Sequence, residues 1–279
     1  MIVIVGAGVV GLSTAYYAAR RGHPVTVLDE ADADGAGCSY GNAGMIVPSH
    51  FVPLAAPGMV ALALRWMWSP RSPFYLRPRP SLELASWCWR FWRAANADHV
   101  ARAAPVLRDL HLASRACFVE WADAWGESFG LTRDGILMLC ATEHGLEEEA
   151  RNAERARALG IPAEVLTPAQ TASRETGLRV KVAGAVHYPL DGHLVPERLM
   201  PALRREAERA GARVSYGTRV TGWRREGRRV VAAQTTGGDV SLDELVICAG
   251  VWSDPLARAL GVSLPLLAGK GYSLTLPRP

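Results

Sequence analysis

The sequence predicts an α/β protein whose parallel β-sheet is built from two separate parts of the chain. An apolar run at residues 1–5 leads directly into the pattern G-x-G-x-x-G at residues 6–11, and a helical pattern covers residues 9–21. A second apolar strand follows at residues 25–28. After residue 196 a helix, several strand-like runs and another strand–glycine junction return. Because strand, glycine turn, helix and strand occur in this order, the start of the chain has the pattern of a dinucleotide-binding unit.

The glycine pattern predicts a phosphate-binding turn. Gly6 permits a tight turn, Gly8 lets a pyrophosphate approach the backbone, and Gly11 lets the helix pack close to the strand. A helix that starts here offers N–H groups and a positive dipole end to the phosphates. The predicted contacts therefore include the intervening residues Ala7, Val9 and Val10. The alternative is a glycine-rich turn that holds no ligand.

Two acidic residues end the second strand. Asp29 lies 18 residues beyond Gly11, which is close to the spacing of the carboxylate that accepts from a ribose hydroxyl in such units. Glu30 follows it directly. We therefore expect this pair to contribute to the dinucleotide site.

Composition excludes several other classes. A chain of 279 residues that is 49% hydrophobic has room for two domains and a sizeable core. The net charge of +4 comes mostly from arginine, and no block of like charge favours nucleic-acid binding. The N-terminus has no basic region or cleavage site, and no apolar run is long enough to span a bilayer. Five widely spaced cysteines, none in a C-x-x-C pair, predict reduced thiols in a cytoplasmic protein with no metal site.

Along the chain, the pattern predicts a long loop at 31–58 and helices at 59–69, 81–97, 104–128, 143–159 and 196–210, with a short helix capped by Thr167 and Gln170. Strands are predicted at 135–141, 183–188, 213–216, 218–225, 229–236 and 245–248. Mixed elements therefore separate two nucleotide-binding segments, whereas a simple nicotinamide dehydrogenase would continue the βαβαβ order without a break.

Several stretches carry a resemblance to a known family. They are GAGVVGLSTAYYAARRGHPVTVLDE near the N-terminus, SYGNAGMIVP at 39–48, LAAPGM at 54–59, residues 196–223, VICAGVWS at 246–253 and KGYSLTL at 270–276. On these stretches the chain resembles the D-amino-acid oxidase and dehydrogenase superfamily of FAD flavoproteins, and within it the small subunits of bacterial D-amino-acid dehydrogenases. The matching stretches occur in the family's order across essentially the whole chain.

The resemblance implies a Rossmann-like FAD-binding domain of the glutathione-reductase type, formed by residues 1–58 and 190–262. It also implies an inserted α+β substrate domain with a mixed or antiparallel sheet, formed by residues 59–189 and 263–279. The three glycines would hold the FAD pyrophosphate and Asp29 the adenosine ribose. Other matched positions would line the flavin and its ribityl chain (Ser39, Asn42, Ala43 and Gly44), offer backbone to the adenine (Val220) or lie against the cofactor after the returning strand (Gly250 and Trp252).

The implied reaction is the removal of a hydride from the carbon that bears the amine of a D-amino acid. The imino acid would hydrolyse to a 2-oxo acid and ammonia, and the electrons would pass to a quinone or a dye. An enzyme for D-proline or hydroxy-D-proline is the first alternative. A non-catalytic remnant, or a subunit that needs a partner chain, is an alternative of another class, and a nicotinamide-dependent dehydrogenase is a more distant one.

The family's chains continue well beyond the position of Pro279. Their C-terminal part supplies another glycine-rich cofactor contact and the arginine that pairs with the substrate carboxylate. We expect this chain to lack both and its substrate domain to be incomplete, either because it is a fragment or because it is naturally truncated.

Four further residues are candidates for the substrate side. Tyr272 would reach the substrate or flavin, or else be an ordinary strand tyrosine. His50 would enter the active site, or else be a solvated loop residue. His193 would line the substrate cavity or form a turn, and Lys270 would lie near the flavin or at the surface.

Residues 65–93 combine aromatic and basic side chains. Glu83 is the only acid in this segment, which holds five tryptophans and six arginines: Trp66, Trp68, Trp87, Trp89, Trp92, Arg65, Arg71, Arg77, Arg79, Arg90 and Arg93. Such a segment suits a helix at an anionic lipid interface, which would place the protein peripherally on the inner face of the cytoplasmic membrane. The alternative is a set of core tryptophans with arginines on the solvent face.

Overall fold

The computed structural model describes residues 1–33, 37–68, 72, 75–76, 79–126, 128–175, 177 and 180–271. The strands are β1 (Ile2–Val5), β2 (Val25–Leu28), β3 (Met45–Ile46), β4 (Ile136–Cys140), β5 (Glu164–Leu166), β6 (Gly184–Tyr188), β7 (Gly192–His193), β8 (Arg213–Ser215), β9 (Val220–Glu226), β10 (Arg229–Thr235), β11 (Gly238–Ser241) and β12 (Glu244–Ile247). The helices are α1 (Val9–Arg20), α2 (Met59–Met67), α3 (Leu82–Ala94), α4 (Ala97–Trp125), α5 (Glu143–Ala158), α6 (Pro168–Arg174), α7 (Pro196–Arg209) and α8 (Ser253–Arg258).

The chain divides into two units. The first comprises residues 1–43 and the chain from residue 195 onward, and the second comprises residues 44–194. The structure groups residues 44–58 and 190–194 with the second unit, although they were predicted in the first domain. It groups the described residues from 263 onward with the first unit, although they were predicted in the substrate domain. Which unit serves the cofactor and which the substrate remains a prediction.

A parallel four-stranded sheet forms the centre of the first unit, with the strand order β12-β1-β2-β8. β1 lies between β12 and β2, so that Ile4 is opposite Val246 on one side and Val27 on the other. All four residues of β2 are buried, which explains why the strand is apolar except for Thr26. α1 connects β1 to β2 and packs against α7.

An antiparallel sheet, β11-β10-β9, completes the strands of this unit. Ala233 and Leu242 from this part of the chain pack with Val3 and Leu28 of the parallel sheet. Val220 and Trp223 of β9 are half-buried against the same cluster. This contact explains why the largely polar segment Val220–Glu226 forms a strand that packs on the core.

The second unit contains an antiparallel sheet, β4-β6-β5, and the two-stranded pair β3-β7. Its core joins Phe51, Ala104, Ile161, Val186 and Tyr188 with two alanines of α5. The architecture is therefore a mixed α/β fold with one parallel sheet and several antiparallel ones, and the predicted fold class is confirmed. Among the described residues, no helix combines the length and hydrophobicity that a bilayer crossing requires.

Two local predictions need correction. α4 begins at Ala97, not at Ala104, because the Asn96 side chain caps it by accepting a hydrogen bond from the His99 N–H at 2.9 Å. Pro105 therefore lies inside the helix. Within the predicted loop 31–58, Met45 and Ile46 pair with residues 192–193, and a two-residue strand is too short to show a periodicity.

Candidate functional site

The turn between β1 and α1 is built on three glycines, of which Gly6 and Gly11 have no room for a side chain and Gly8 has little. Gly6 has a φ of +107°, and a Cβ there would lie 2.4 Å from the Cys248 carbonyl oxygen. A Cβ on Gly11 would lie 1.8 Å from the Gly6 carbonyl oxygen, and one on Gly8 would lie 3.1 Å from Ser39 Oγ. Strand, turn and helix therefore approach one another at contact distance, which is the arrangement that a pyrophosphate needs to reach the backbone.

The N-terminus of α1 has the chemistry of an anion site. The first turn contains no acidic residue, and Gly8 precedes it in an extended conformation. The Val9 N–H donates to Ser39 Oγ at 2.9 Å. The first N–H groups of a helix have no acceptor within the helix, so that Val10 and Gly11 also present donors at the positive end of the dipole.

Asp29 ties the end of β2 to the same turn. Its Oδ2 accepts from the Ala7 N–H at 2.5 Å, and its Oδ1 accepts from the Ala31 N–H at 2.8 Å. Glu30 instead points to the surface, where its Oε1 accepts from Arg219 at 2.6 Å and both side chains are 61% exposed. The two neighbouring acids therefore have different surroundings, and only Asp29 contacts the glycine turn.

The segment 38–43 is the loop that places Ser39 at the N-terminus of α1. Asn42 Nδ2 donates to the carbonyl oxygens of Cys38 and Ser39, both at 3.0 Å, and this side chain therefore holds the loop in shape. Ala43 is exposed at the end of this segment. Gly44 is buried, has a φ of +64°, and accepts from the Leu194 N–H at 2.9 Å.

The remaining predicted cofactor residues lie at two other positions of the first unit. Val220 opens β9, which is an outer strand of its sheet among the described residues, so that its backbone lies at a sheet edge. Gly250 has a φ of +56° and starts the short 3₁₀ helix after β12. Trp252 ends that helix and is 68% exposed.

The predicted substrate residues are only partly within the described chain. Tyr272 lies outside the described residues. Lys270 is exposed. His193 is exposed on β7, where its Nδ1 lies 2.8 Å from Thr132 Oγ1. His50 is exposed. With Ser49 and Asp191 it forms a polar cluster of the second unit.

Asp191 is the buried centre of this polar cluster. It is 1% exposed and accepts two hydrogen bonds from Ser49, one from the N–H at 3.1 Å and one from the hydroxyl at 2.5 Å. Ser49 Oγ also lies 3.1 Å from His50 Nδ1. Burial raises the pKa of the Asp191 carboxyl, while Ser49, His50 and Arg115 oppose this rise. The sequence analysis missed Ser49 and Asp191 because their contact joins distant segments.

His111 of α4 lies beside this cluster. Its Nδ1 is buried and, within the part of the chain that the structure describes, has no hydrogen-bond partner. Burial lowers the pKa of His111, the charge of His50 lowers it further, and Asp191 acts in the opposite direction. The apolar periodicity of the helix gave no signal for this residue.

The glycine turn, the helix N-terminus and the anchored carboxylate together form the pattern of a dinucleotide-binding unit. The chain matches the family described as FAD dependent oxidoreductase (DAO) over residues 1–279. It therefore belongs to the FAD dependent oxidoreductase family, which confirms both the resemblance and FAD as the predicted cofactor.

Two curated relatives are D-amino acid dehydrogenases. The one from Cereibacter sphaeroides is 37% identical over 281 residues, which cover 99% of this chain and 64% of the relative. The one from Granulibacter bethesdensis is 34% identical and covers 99% of this chain and 67% of the relative. The chain thus spans about two thirds of the length of these relatives.

Solved structures share the fold. Glycine oxidase from Geobacillus kaustophilus aligns with a TM-score of 0.69 and 26% identity, over 94% of this chain and 58% of that one. L-proline dehydrogenase from P. horikoshii aligns with a TM-score of 0.63 and 20% identity, over 94% of this chain and 55% of that one. At 20% identity, the second likeness supports the fold alone.

Proposed function

We propose that this chain binds FAD through its first unit and takes part in the oxidation of a D-amino acid to a 2-oxo acid and ammonia. The observation that carries the proposal is the convergence of Gly8, Ser39 and Asp29 at the start of α1. The similarity to D-amino acid dehydrogenases supports the substrate class.

The residues of the turn fit a dinucleotide. The N–H groups of Val10 and Gly11 and the hydroxyl of Ser39 would hold the pyrophosphate, because a donor-rich helix end attracts negative charge. The Asp29 oxygens each keep a second lone pair, with which a ribose hydroxyl would bond. We assign the ribose to Asp29 rather than Glu30, because the Glu30 carboxylate already pairs with Arg219 at the surface.

Other residues complete the proposed cofactor site. The backbone of Val220 would face the adenine, Gly250 and Trp252 would contact the cofactor, and Asn42 would support the loop that leads to Gly44. FAD, when bound, supplies the acceptor for the hydride of the substrate. The protein's part is to orient the amine and remove its extra proton, and for these tasks we propose His50 and Tyr272.

A substrate panel tests this function. The chain would be loaded with FAD and supplied with a dye as electron acceptor, and dye reduction would be followed with D-alanine, D-proline and L-alanine. We expect D-alanine to exceed L-alanine by about 100-fold, because a site built for one enantiomer leaves polar groups unpaired with the other. A preference for D-proline would favour the cyclic-amine alternative. Loss of flavin on purification would favour a remnant that needs a partner chain.

A second observation concerns the electron acceptor. Only Leu84 of α3 is buried, while Leu82 is 90% exposed and Trp89 and Trp92 are each 57% exposed. The two tryptophan rings stack at 5.1 Å. We propose that this face of α3 lies in an anionic lipid interface, which would bring the protein to a membrane-borne quinone.

Vesicle sedimentation tests the membrane contact. The chain should sediment with vesicles that contain phosphatidylglycerol and less with phosphatidylcholine alone, because Arg90 and Arg93 lie on the same helix. The double variant Trp89→Ser, Trp92→Ser should lose most of its bound fraction. Leu110→Ser is the control, since Leu110 is 62% exposed on α4. Equal loss in both variants would contradict the proposed interface.

A further inference from the structure

The bonds around Ser49 fix the direction of a hydrogen-bond chain. A serine hydroxyl has one hydrogen, whereas a carboxylate can only accept. The Ser49 hydroxyl lies 2.5 Å from Asp191 Oδ2 and donates its one hydrogen to that oxygen. Ser49 Oγ can then only accept from His50 Nδ1, which lies at 3.1 Å. His50 therefore carries a hydrogen on Nδ1, and in the neutral imidazole Nε2 is then the nitrogen with the lone pair.

This direction requires Asp191 to be ionised at neutral pH. Burial works against the charge, since Asp191 is 1% exposed. Two donors from Ser49 and the positive charge of Arg115 favour it. The proposed direction therefore uses Asp191 in its ionised form, in which it acts as an acceptor only.

We propose that Asp191, acting through Ser49, holds the neutral His50 imidazole in its Nδ1–H tautomer, so that Nε2 accepts the proton of a substrate ammonium group. The catalytic part of this inference rests on the proposed amine oxidation. In the step, one N–H bond of the ammonium breaks and an Nε2–H bond forms. The amine becomes neutral and the imidazole becomes an imidazolium, with no change in the number of electrons.

The surroundings of His50 suit a residue that gains a positive charge. The Asp191 carboxylate interacts favourably with a positive charge on His50. The pKa of His111 on α4 is lowered, so His111 favours its own neutral form. Arg115 of the same helix donates through its Nε to the Leu190 carbonyl oxygen at 2.7 Å. On β6, Tyr188 interacts electrostatically with Asp191 and donates its hydroxyl to Glu149 at 2.8 Å. His50 itself is exposed and can be reached by a small molecule.

The tautomer can be measured without cofactor or substrate. Nitrogen-15 NMR of the labelled chain at pH 7.5 distinguishes imidazole Nδ1–H from Nε2–H. We expect the Nδ1–H form for His50 in the wild-type chain. Ser49→Ala should shift it towards the Nε2–H form, because the acceptor for Nδ1–H is lost. Ser173→Ala is the control, since the Ser173 hydroxyl bonds within α6. An Nε2–H tautomer in the wild type, or no change in Ser49→Ala, would overturn the relay.

The pH dependence of catalysis tests the proton transfer. At pH 7, His50→Gln should lower kcat/KM by about 10²- to 10⁴-fold, the usual contribution of a general base. The deficit should shrink towards about pH 10, where the α-amino group of the substrate is largely neutral without help. Ser49→Ala should show a smaller deficit with the same rescue. His144→Gln is the control, since that side chain is 77% exposed beside Glu148.

The outcomes separate the two proposals. A His50→Gln deficit that is equal at every pH would overturn the base role and leave a structural one. An inactive wild-type chain would refute the proposed function together with the base role, whereas the NMR measurement would still decide the relay. The variant Asp191→Asn is less suitable as a single test, because the buried Asp191 carboxylate of the wild-type chain also accepts from the Ser49 backbone N–H.

Discussion

Ser39 Oγ accepts a hydrogen bond from the Val9 N–H at 2.9 Å and thereby joins a loop to the first turn of α1, 30 residues away in the sequence. The resemblance placed Ser39 along the flavin and its ribityl chain. That role stays a prediction, and we propose that the hydroxyl also contacts the pyrophosphate, because it lies among the backbone donors of the helix N-terminus. The loop 38–43 is thus anchored to α1 by this hydrogen bond.

Ser39→Ala should therefore weaken both the fold and FAD binding. Loss of the hydroxyl removes an acceptor for a helix N-terminal N–H, which costs about 1 kcal/mol of unfolding free energy. FAD affinity should fall about tenfold, since one hydrogen bond to a charged group is worth about 1.5 kcal/mol or more. Urea unfolding and flavin titration measure the two effects. Ser173→Ala should leave FAD affinity unchanged, and an equal loss there would refute the assignment.

Gly11→Ala should be the most damaging single methyl in the turn. Its Cβ would lie 1.8 Å from the Gly6 carbonyl oxygen, so that helix and strand must move apart. We expect the unfolding free energy to fall by about 2–3 kcal/mol. We also expect the variant to lose its bound flavin. Gly269→Ala is the matched control, because a Cβ there meets nothing within 4 Å. A stable Gly11→Ala chain that retains FAD would contradict the described turn.

Asp29→Asn and Glu30→Gln should differ sharply. Asparagine has one acceptor oxygen, so it cannot serve the N–H groups of both Ala7 and Ala31, and a loss of about 1–3 kcal/mol is expected. Glu30→Gln removes only an exposed ion pair with Arg219, worth about 0–1 kcal/mol. Flavin titration and urea unfolding should show the large effect in Asp29→Asn alone. A larger FAD defect in Glu30→Gln would reverse the ribose assignment.

Acidification should destabilise the chain through His111. Its folded-state pKa is lowered below the ordinary 6.5, so that the unfolded chain binds more protons between these two values. The contribution of His111 to stability is therefore full above pH 6.5 and is lost as the pH falls towards the folded-state pKa.

Unfolding free energies between about pH 8 and about pH 5.5 test this sign. The raised pKa of Asp191 acts in the opposite direction, because the folded chain binds more protons than the unfolded chain between the raised folded-state pKa and the ordinary 3.8. The fall in stability should shrink in His111→Gln and persist in His144→Gln. An unchanged pH dependence in His111→Gln would show that another group is responsible.

The glycine turn and the first two strands of the first unit could be predicted largely from the sequence because their requirements are local. Gly6, Gly8 and Gly11 lie within six residues, and β1 and β2 read as buried apolar runs. The capping box of Thr167 and Gln170 was likewise predicted and is present, since both partners lie within one helical turn. Local patterns suffice where the interacting groups are neighbours in sequence.

The polar cluster of the second unit could not be predicted in this way. Ser49 and Asp191 are separated by 142 residues, and His111 enters from the middle of a long helix. His50 alone was a candidate, because a loop histidine after a cofactor motif is conspicuous. Its partners become visible only once the antiparallel pair of Met45–Ile46 and Gly192–His193 brings their segments together. The assigned roles of these site residues remain predictions.

The most direct test of the central claim is the visible absorption spectrum of the purified chain with added FAD, followed during anaerobic titration with D-alanine and D-proline. The account predicts a bound flavin whose absorbance near 450 nm is bleached by one of these amines. A chain that retains no flavin, or a bound flavin that no D-amine bleaches, would contradict it.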